Sequence, residues 1–160
     1  MSIAFSGREL IDIAISIERS GITFYDIMAK STDDATTRDV FQQLADMERE
    51  HILIFQDMRD DADRYQPEAA AEDYADYLKA LTDSAVFTDD TLTGEMATQA
   101  DSDIQAVELG ISAEKDSLLF YYQMRDIMPQ PALPVIDRII AEEKSHLRQL
   151  SAIKKELTAS

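Results

Sequence analysis

Both histidines of this chain follow a glutamate by three residues, as Glu48-x-x-His51 and Glu143-x-x-His146. Residues three apart lie on one face of an α-helix, so each carboxylate would stand beside an imidazole. Carboxylate and imidazole ligands without sulfur suit iron, manganese or zinc. The two pairs therefore predict metal binding, provided that the surrounding helices bring further ligands to the same place.

Glu18 and Glu114 are the further candidates, because each interrupts a helical stripe of apolar residues. Four such stripes place apolar side chains at alternating steps of three and four, which is typical of one buried helix face. They run from Ile11 to Met28, from Phe41 to Met58, from Ile104 to Tyr121 and from Ile136 to Leu157. Each has a glutamate near its middle. The predicted ligands are Glu18, Glu48, His51, Glu114, Glu143 and His146.

Four long helices are needed to position these residues. The predicted helices run over about residues 6–30, from the turn at 31–34 to about Arg64, from about Asp101 to just before Pro129, and from about 131–134 nearly to the end. Ser6 is the predicted N-cap of the first helix, with Glu9 as its capping-box partner. Proline is tolerated in the first turn of the fourth helix.

The segment between Tyr65 and Ala100 differs from the helices around it, since it holds Pro67, Gly94 and several Thr and Asp residues. We interpret it as a crossover that contains a short amphipathic helix over 68–84, with one side formed by Tyr74, Tyr77, Leu78 and Leu81. A bundle with one long crossover between helices two and three is the ferritin-like arrangement. The prediction is an all-α, ferritin-like four-helix bundle, with residues 1–160 as a single domain.

The two halves of the chain repeat each other. The pattern IxxExxxxxFY occurs around Glu18 and again around Glu114, and each half also contains one of the ExxH pairs. Each glutamate lies about 15 residues from the turn of its hairpin, which corresponds to roughly 22 Å of helix. The four carboxylates are therefore level, and two hairpins packed with matching geometry would bring them into one layer.

Four ionised carboxylates in a protein interior need compensation, because each buried charge costs several kcal/mol. Two divalent cations would neutralise four carboxylates while both histidines remain uncharged. A dinuclear metal site is therefore the simplest solution that the sequence allows.

The formal net charge of −17 argues against binding to nucleic acid or to anionic membranes. An acidic surface concentrates metal cations, or serves only to keep the protein soluble. The chain has no cysteine, which excludes disulfides, iron–sulfur clusters and thiolate metal sites. A start without a basic region and the lack of a long apolar window predict a cytoplasmic protein without a membrane span.

Five other residues have a predicted place relative to this site. Tyr25 and Tyr121 each follow a candidate ligand by seven residues, so they either pack in the core or donate a hydrogen bond to a ligand carboxylate. Glu50, Glu108 and Glu142 fall off the stripes and are predicted to be solvated. Of these, Glu142 would exchange places with Glu143 if the helix register differed by one residue.

The segments IERSGITFY, MEREH, AEKDSLLFYYQM and AEEKSH, with the six candidate ligands, resemble the rubrerythrin branch of the ferritin-like superfamily. The resemblance covers essentially the whole chain. It implies a homodimer with two iron ions, for which manganese or zinc could substitute. It also implies reduction of hydrogen peroxide, or of O2, with electrons from a separate donor.

The chain departs from that family in two ways. It lacks the rubredoxin domain with its four-cysteine iron, so electrons would come from an external, rubredoxin-like protein. Ser117 stands where rubrerythrins carry an extra glutamate. The remaining six ligands resemble a bacterioferritin-type ferroxidase centre, so a ferroxidase or iron-storage protein is the alternative. A manganese catalase-like protein and a bundle that has lost its chemistry are two further alternatives.

Overall fold

A computed structural model of the chain describes residues 5–67, 72–85 and 90–159. Its six helices are α1 (Gly7–Ser31), α2 (Ala35–Asp60), α3 (Glu72–Ser84), α4 (Asp90–Gln99), α5 (Asp103–Ile127) and α6 (Leu133–Ala159). The described residues include no β-strand. The prediction of an all-α, ferritin-like bundle is confirmed: α1 packs with α2 and α5 packs with α6, and the two hairpins meet through α1 with α5 and α2 with α6.

Local signals account for most helix boundaries. Ser6 caps α1 and accepts a hydrogen bond from the backbone N–H of Glu9 at 3.1 Å, as predicted. The carboxylate of Asp34 accepts from the N–H of Thr37 at 2.8 Å and so caps α2. Ser102 caps α5 in the same way, and Pro134 lies in the first turn of α6.

Two of the sequence predictions for the region after α2 differ from the structure. Helix α2 ends at Asp60, earlier than the predicted Arg64, and a 3-10 turn follows over Ala62–Tyr65. The crossover contains two helices where one was predicted, since α4 was missed. Gly94 and the neighbouring threonines have low helix propensity, so α4 depends on its packing against α1.

Helix α3 occupies most of the segment predicted as the short crossover helix. Glu68, where that helix was predicted to begin, lies outside the described residues. Leu78 is buried, and Tyr74 packs against the core. Tyr77, which was predicted on the same side of the helix, is 42% exposed, so that side is only partly buried.

Two apolar clusters fill the bundle, one toward each end. The first joins the start of α1 to the end of α2 through residues such as Leu10 and Phe55. The second joins the end of α1 to the start of α2 through residues such as Phe24 and Leu44. The middle of all four long helices lies between them. None of the described helices combines the length and the apolarity that crossing a bilayer requires.

Candidate metal centre

The layer between the two apolar clusters contains the six predicted ligands, and all of them are buried. Helix α1 contributes Glu18 and α5 contributes Glu114, while α2 and α6 each contribute one Glu-x-x-His pair. The structure therefore brings together residues that lie far apart in sequence. Their convergence follows from the equal distance of the four acids from the hairpin turns.

The six side chains form two overlapping groups of four. In each group the candidate ligand atoms all lie within 4.8 Å of one another. One group contains Glu18 and His51 and the other contains Glu114 and His146, and Glu48 and Glu143 belong to both. Two adjacent metal positions bridged by two carboxylates match this arrangement, which is that of dinuclear carboxylate sites in helical bundles.

His51 turns one ring nitrogen toward the carboxylates and the other away from them. Its Nδ1 lies 3.3 Å from Glu18 Oε2 and 3.0 Å from Glu143 Oε1. Its Nε2 lies 2.6 Å from Glu142 Oε2. A metal on Nδ1 would leave the ring proton on Nε2, where it donates to Glu142. Such a carboxylate fixes the tautomer and orientation of a ligating imidazole.

The prediction that Glu142 is simply solvated is therefore wrong. Its side chain is only 24% exposed, and Arg138 donates a hydrogen bond to it at 3.2 Å. Partial burial raises the pKa of Glu142, but the hydrogen bonds from His51 and Arg138 outweigh that effect, so its pKa is lowered overall. Glu50 and Glu108 are exposed, as predicted.

His146 has a different environment from His51. Its Nδ1 lies 3.5 Å from Glu48 Oε1 and 3.6 Å from Glu114 Oε1, so it also faces the carboxylates. Within the described chain, neither of its ring nitrogens has a hydrogen-bond partner. The internal repeat pairs Glu142 of one half with Met47 of the other, and Met47 lines a cavity beside His146. The two histidines are therefore not equivalent.

The two buried tyrosines connect the halves of the bundle in a crossed pattern. Tyr25 donates a hydrogen bond to Glu114 Oε1 at 2.6 Å, and Tyr121 donates to Glu18 Oε1. Burial, with the charge of the neighbouring glutamates, raises the pKa of both tyrosines well above its usual value, so both hydroxyls keep their protons. Each tyrosine thus orients a candidate ligand on the opposite hairpin.

Tyr121→Phe is expected to reduce the free energy of unfolding by about 1–3 kcal/mol, because Glu18 loses its donor while the ring still stacks on Phe55. Chemical denaturation of the metal-free protein measures this difference. The control is Tyr122→Phe, since Tyr122 is 40% exposed. It should change stability by less than about 0.5 kcal/mol. Equal effects of the two substitutions would contradict the assigned hydrogen bond.

Gly21 explains how Glu48 reaches the layer. A Cβ atom at Gly21 would lie 3.3 Å from Cδ and 3.5 Å from Cγ of Glu48. The contact with Cδ is tighter than most real Cβ contacts, so the bare glycine backbone leaves room for the Glu48 side chain. This residue lies on the first predicted stripe, but its spacing alone gave no sign of that role.

The hydrogen bonding and the charge of the layer indicate whether its residues fit a pair of metal ions. Among the residues that the structure describes, Glu143, Glu114 and His146 have buried oxygen or nitrogen atoms without a hydrogen-bond partner. Burial, followed by the charges of Glu114 and Glu18, raises the pKa of Glu143 well above its usual value. Unpartnered buried polar atoms are rare and costly in folded proteins. Two cations would satisfy these atoms and the surplus of negative charge, so the residues fit a dinuclear metal centre.

Comparisons with known proteins agree with this geometry. The sequence model of the rubrerythrin family matches residues 9–154. A solved structure from Thermotoga maritima, provisionally described as a ferritin-like diiron-carboxylate protein, is 29% identical with a TM-score of 0.70. That alignment covers 95% of this chain and 96% of the other. No curated protein matches the chain. Its helical bundle, its glutamate and histidine layer and the family match together show that the chain belongs to the rubrerythrin family.

Proposed function

We propose that this protein is a di-iron oxidoreductase that reduces hydrogen peroxide, or O2, with electrons from an external donor. The observation that supports the proposal best is the pair of overlapping ligand groups that share Glu48 and Glu143. A centre with two adjacent metals suits a two-electron reaction on a substrate that has two oxygen atoms. The family match and the related diiron-carboxylate structure are consistent with it.

Each of the six residues has a defined part in this proposal. Glu18 and His51 would hold one metal, Glu114 and His146 would hold the other, and Glu48 and Glu143 would bridge the two. A bound pair of ferrous ions would supply two electrons to one peroxide molecule. Manganese or zinc could occupy the same ligands, since all six are oxygen or nitrogen donors.

The chain itself contributes orientation and exclusion of water. Tyr25 and Tyr121 hold Glu114 and Glu18 in place through their hydroxyl groups. Glu142 holds the His51 ring with Nδ1 facing the carboxylates. The apolar clusters on both sides of the layer keep bulk water away from the site, which strengthens every electrostatic interaction inside it.

The electron donor and the assembly are also part of the proposal. The 160 residues contain no cysteine, so this chain cannot bind a rubredoxin-type iron. We propose a separate rubredoxin-like protein as the donor and a homodimer as the assembled form.

Glu48→Ala is expected to abolish most peroxide consumption, because it removes a carboxylate common to both ligand groups. The measurement is hydrogen peroxide consumption by the anaerobically prepared, ferrous-loaded protein. The control is Glu50→Ala, which removes an exposed glutamate from the same helix. If the Glu48 variant consumed peroxide as fast as the unaltered protein, the proposed function would fail.

Ferroxidase activity is the second candidate function, and Ser117 favours it. Where rubrerythrins have an extra acid, this side chain donates its hydroxyl to the Ala113 carbonyl at 3.0 Å and offers no carboxylate. Iron titration with size-exclusion chromatography separates iron storage from both oxidoreductase roles. Uptake that saturates at two irons per chain excludes storage, whereas continued uptake into a large shell excludes the peroxidase as the main role. The metal content of protein from its native host tests the manganese alternative.

A further inference from the structure

A cavity of about 170 Å³ lies beside the metal centre, between α1, α5 and the C-terminal end of α3. Glu48 and Glu114, two of the candidate ligands, line it together with Gly21 and Tyr25. Ser117 also lines it, at the position where rubrerythrins carry the extra glutamate. The cavity is therefore continuous with the place where a substrate would meet the metals.

Most of the cavity wall is apolar. Ile13, Ile17, Leu81, Ala113 and Phe120 contribute aliphatic or aromatic surface. Ser16 and Asp116 also belong to the wall, so one part of it is polar. A space lined in this way favours an apolar group over water.

Three of the hydroxyl groups on the wall donate hydrogen bonds within the protein. Thr82 donates to the Lys79 carbonyl at 3.0 Å, and Ser117 donates to the carbonyl of Ala113. The Tyr25 hydroxyl donates to Glu114. Each of these three hydroxyl protons already has an acceptor within the protein. A ligand in the cavity therefore need not accept a hydrogen bond from them.

The cavity is partly open, so its volume indicates the size of the group that it can enclose. An apolar protein cavity of roughly 150 Å³ holds one benzene molecule. This cavity is slightly larger, so it suits an apolar group of about four to six carbon atoms. Hydrogen peroxide has only two heavy atoms and would leave most of this space unfilled.

We propose that the centre accepts small alkyl hydroperoxides, whose alkyl group occupies this cavity while the O–O group lies toward Glu48 and Glu114. This inference rests on the proposed function and specifies its substrate class. The hydroperoxide ROOH, two electrons and two protons give the alcohol ROH and water, and the O–O bond breaks. The electrons come from the external rubredoxin-like donor, and the cavity holds the alkyl group throughout.

The binding test uses tert-butanol, the alcohol product of tert-butyl hydroperoxide, with the zinc-loaded protein, which performs no redox chemistry. Methyl NMR signals of Ile13, Ile17 and Leu81 should shift on titration. Those of Ile153, which belongs to the second apolar cluster, should not. Ala113→Leu in α5 and Ala85→Leu just after α3 add a larger side chain to the cavity wall and should each weaken the shifts. Ser112→Leu is the matched control, because it places the same side chain on the exposed face of α5.

The activity test compares tert-butyl hydroperoxide with hydrogen peroxide on the ferrous-loaded protein. The ratio of the second-order rate constants at which the two peroxides oxidise the ferrous-loaded protein should fall about tenfold or more in each cavity-filling variant and stay unchanged in Ser112→Leu. If hydrogen peroxide is consumed while tert-butyl hydroperoxide is not, and tert-butanol shifts no cavity methyl, this inference is overturned and the proposed function stands. If neither peroxide is consumed, the proposed function fails and this inference fails with it.

Discussion

Chelating the metals out of the loaded protein is expected to lower its melting temperature by about 10–20 °C. Two bound ions, each present at roughly a hundred times its dissociation constant, stabilise the native state by about 5 kcal/mol. Without them, Glu18, Glu114 and Glu143 remain buried together, and oxygen atoms of Glu114 and Glu143 have no hydrogen-bond partner among the described residues. Differential scanning calorimetry before and after chelation, and again after metal is restored, measures the effect.

The control for this experiment is the double variant His51→Ala/His146→Ala. It removes the imidazole from each of the two candidate ligand groups, so chelation should change its melting temperature by much less. A melting temperature of the unaltered protein that does not respond to chelation would show that the layer is stable without metal. The dinuclear site would then have no structural role.

Glu143→Gln is expected to have opposite effects on the metal-free and metal-loaded proteins. Burial and the charges of Glu114 and Glu18 raise the pKa of Glu143, so the metal-free native state prefers this carboxyl protonated. The ionised carboxylate therefore destabilises that state, increasingly as the pH rises through the raised pKa. Glutamine has no charge, so the metal-free variant should melt several degrees higher at neutral pH. The loaded variant should bind metal more weakly, because an amide replaces a carboxylate that both candidate ligand groups share.

Whether replacing a glutamate by glutamine raises or lowers the melting temperature of the metal-free protein depends on the surroundings of the carboxylate. Glu142→Gln tests this dependence directly. Glu142 lies next to Glu143 on the same helix, but its hydrogen bonds from His51 and Arg138 leave its pKa lowered. A lowered pKa stabilises the native state at neutral pH, and that stability is lost as the pH falls. The metal-free Glu142 variant should therefore melt lower, not higher. Thermal melts of both metal-free variants at pH 5 and pH 7.5 make the comparison, and shifts of the same sign would contradict this account.

The helices and the six candidate ligands could be predicted because each carries a signal along the chain. The periodicity of apolar residues marks the buried face of each helix, and Glu18 or His51 stands out only because it interrupts that face. The distances from the turns then predicted which residues are level. All of this information is local to one helix or one hairpin.

Features that depend on contact between the hairpins were not predictable in the same way. Glu142 lies beside the stripe of α6, and its role arises only because His51 of α2 approaches it. The crossed bonds from Tyr25 to Glu114 and from Tyr121 to Glu18 join different hairpins, so spacing could not assign their partners. The cavity depends on where α3 docks against α5, which no periodicity in the crossover specifies.

The different surroundings of His51 and His146 have a consequence for the order in which ions bind. A carboxylate behind His51 adds negative charge and makes its imidazole a stronger electron donor, whereas Met47 at the repeat-related position does neither. The first cation to arrive should therefore prefer the His51 side, and the second should complete the pair at lower affinity. The two hairpins repeat each other in sequence, but the surroundings of their histidines differ. A substrate bridging the two metals would therefore meet a chemically different environment at each metal.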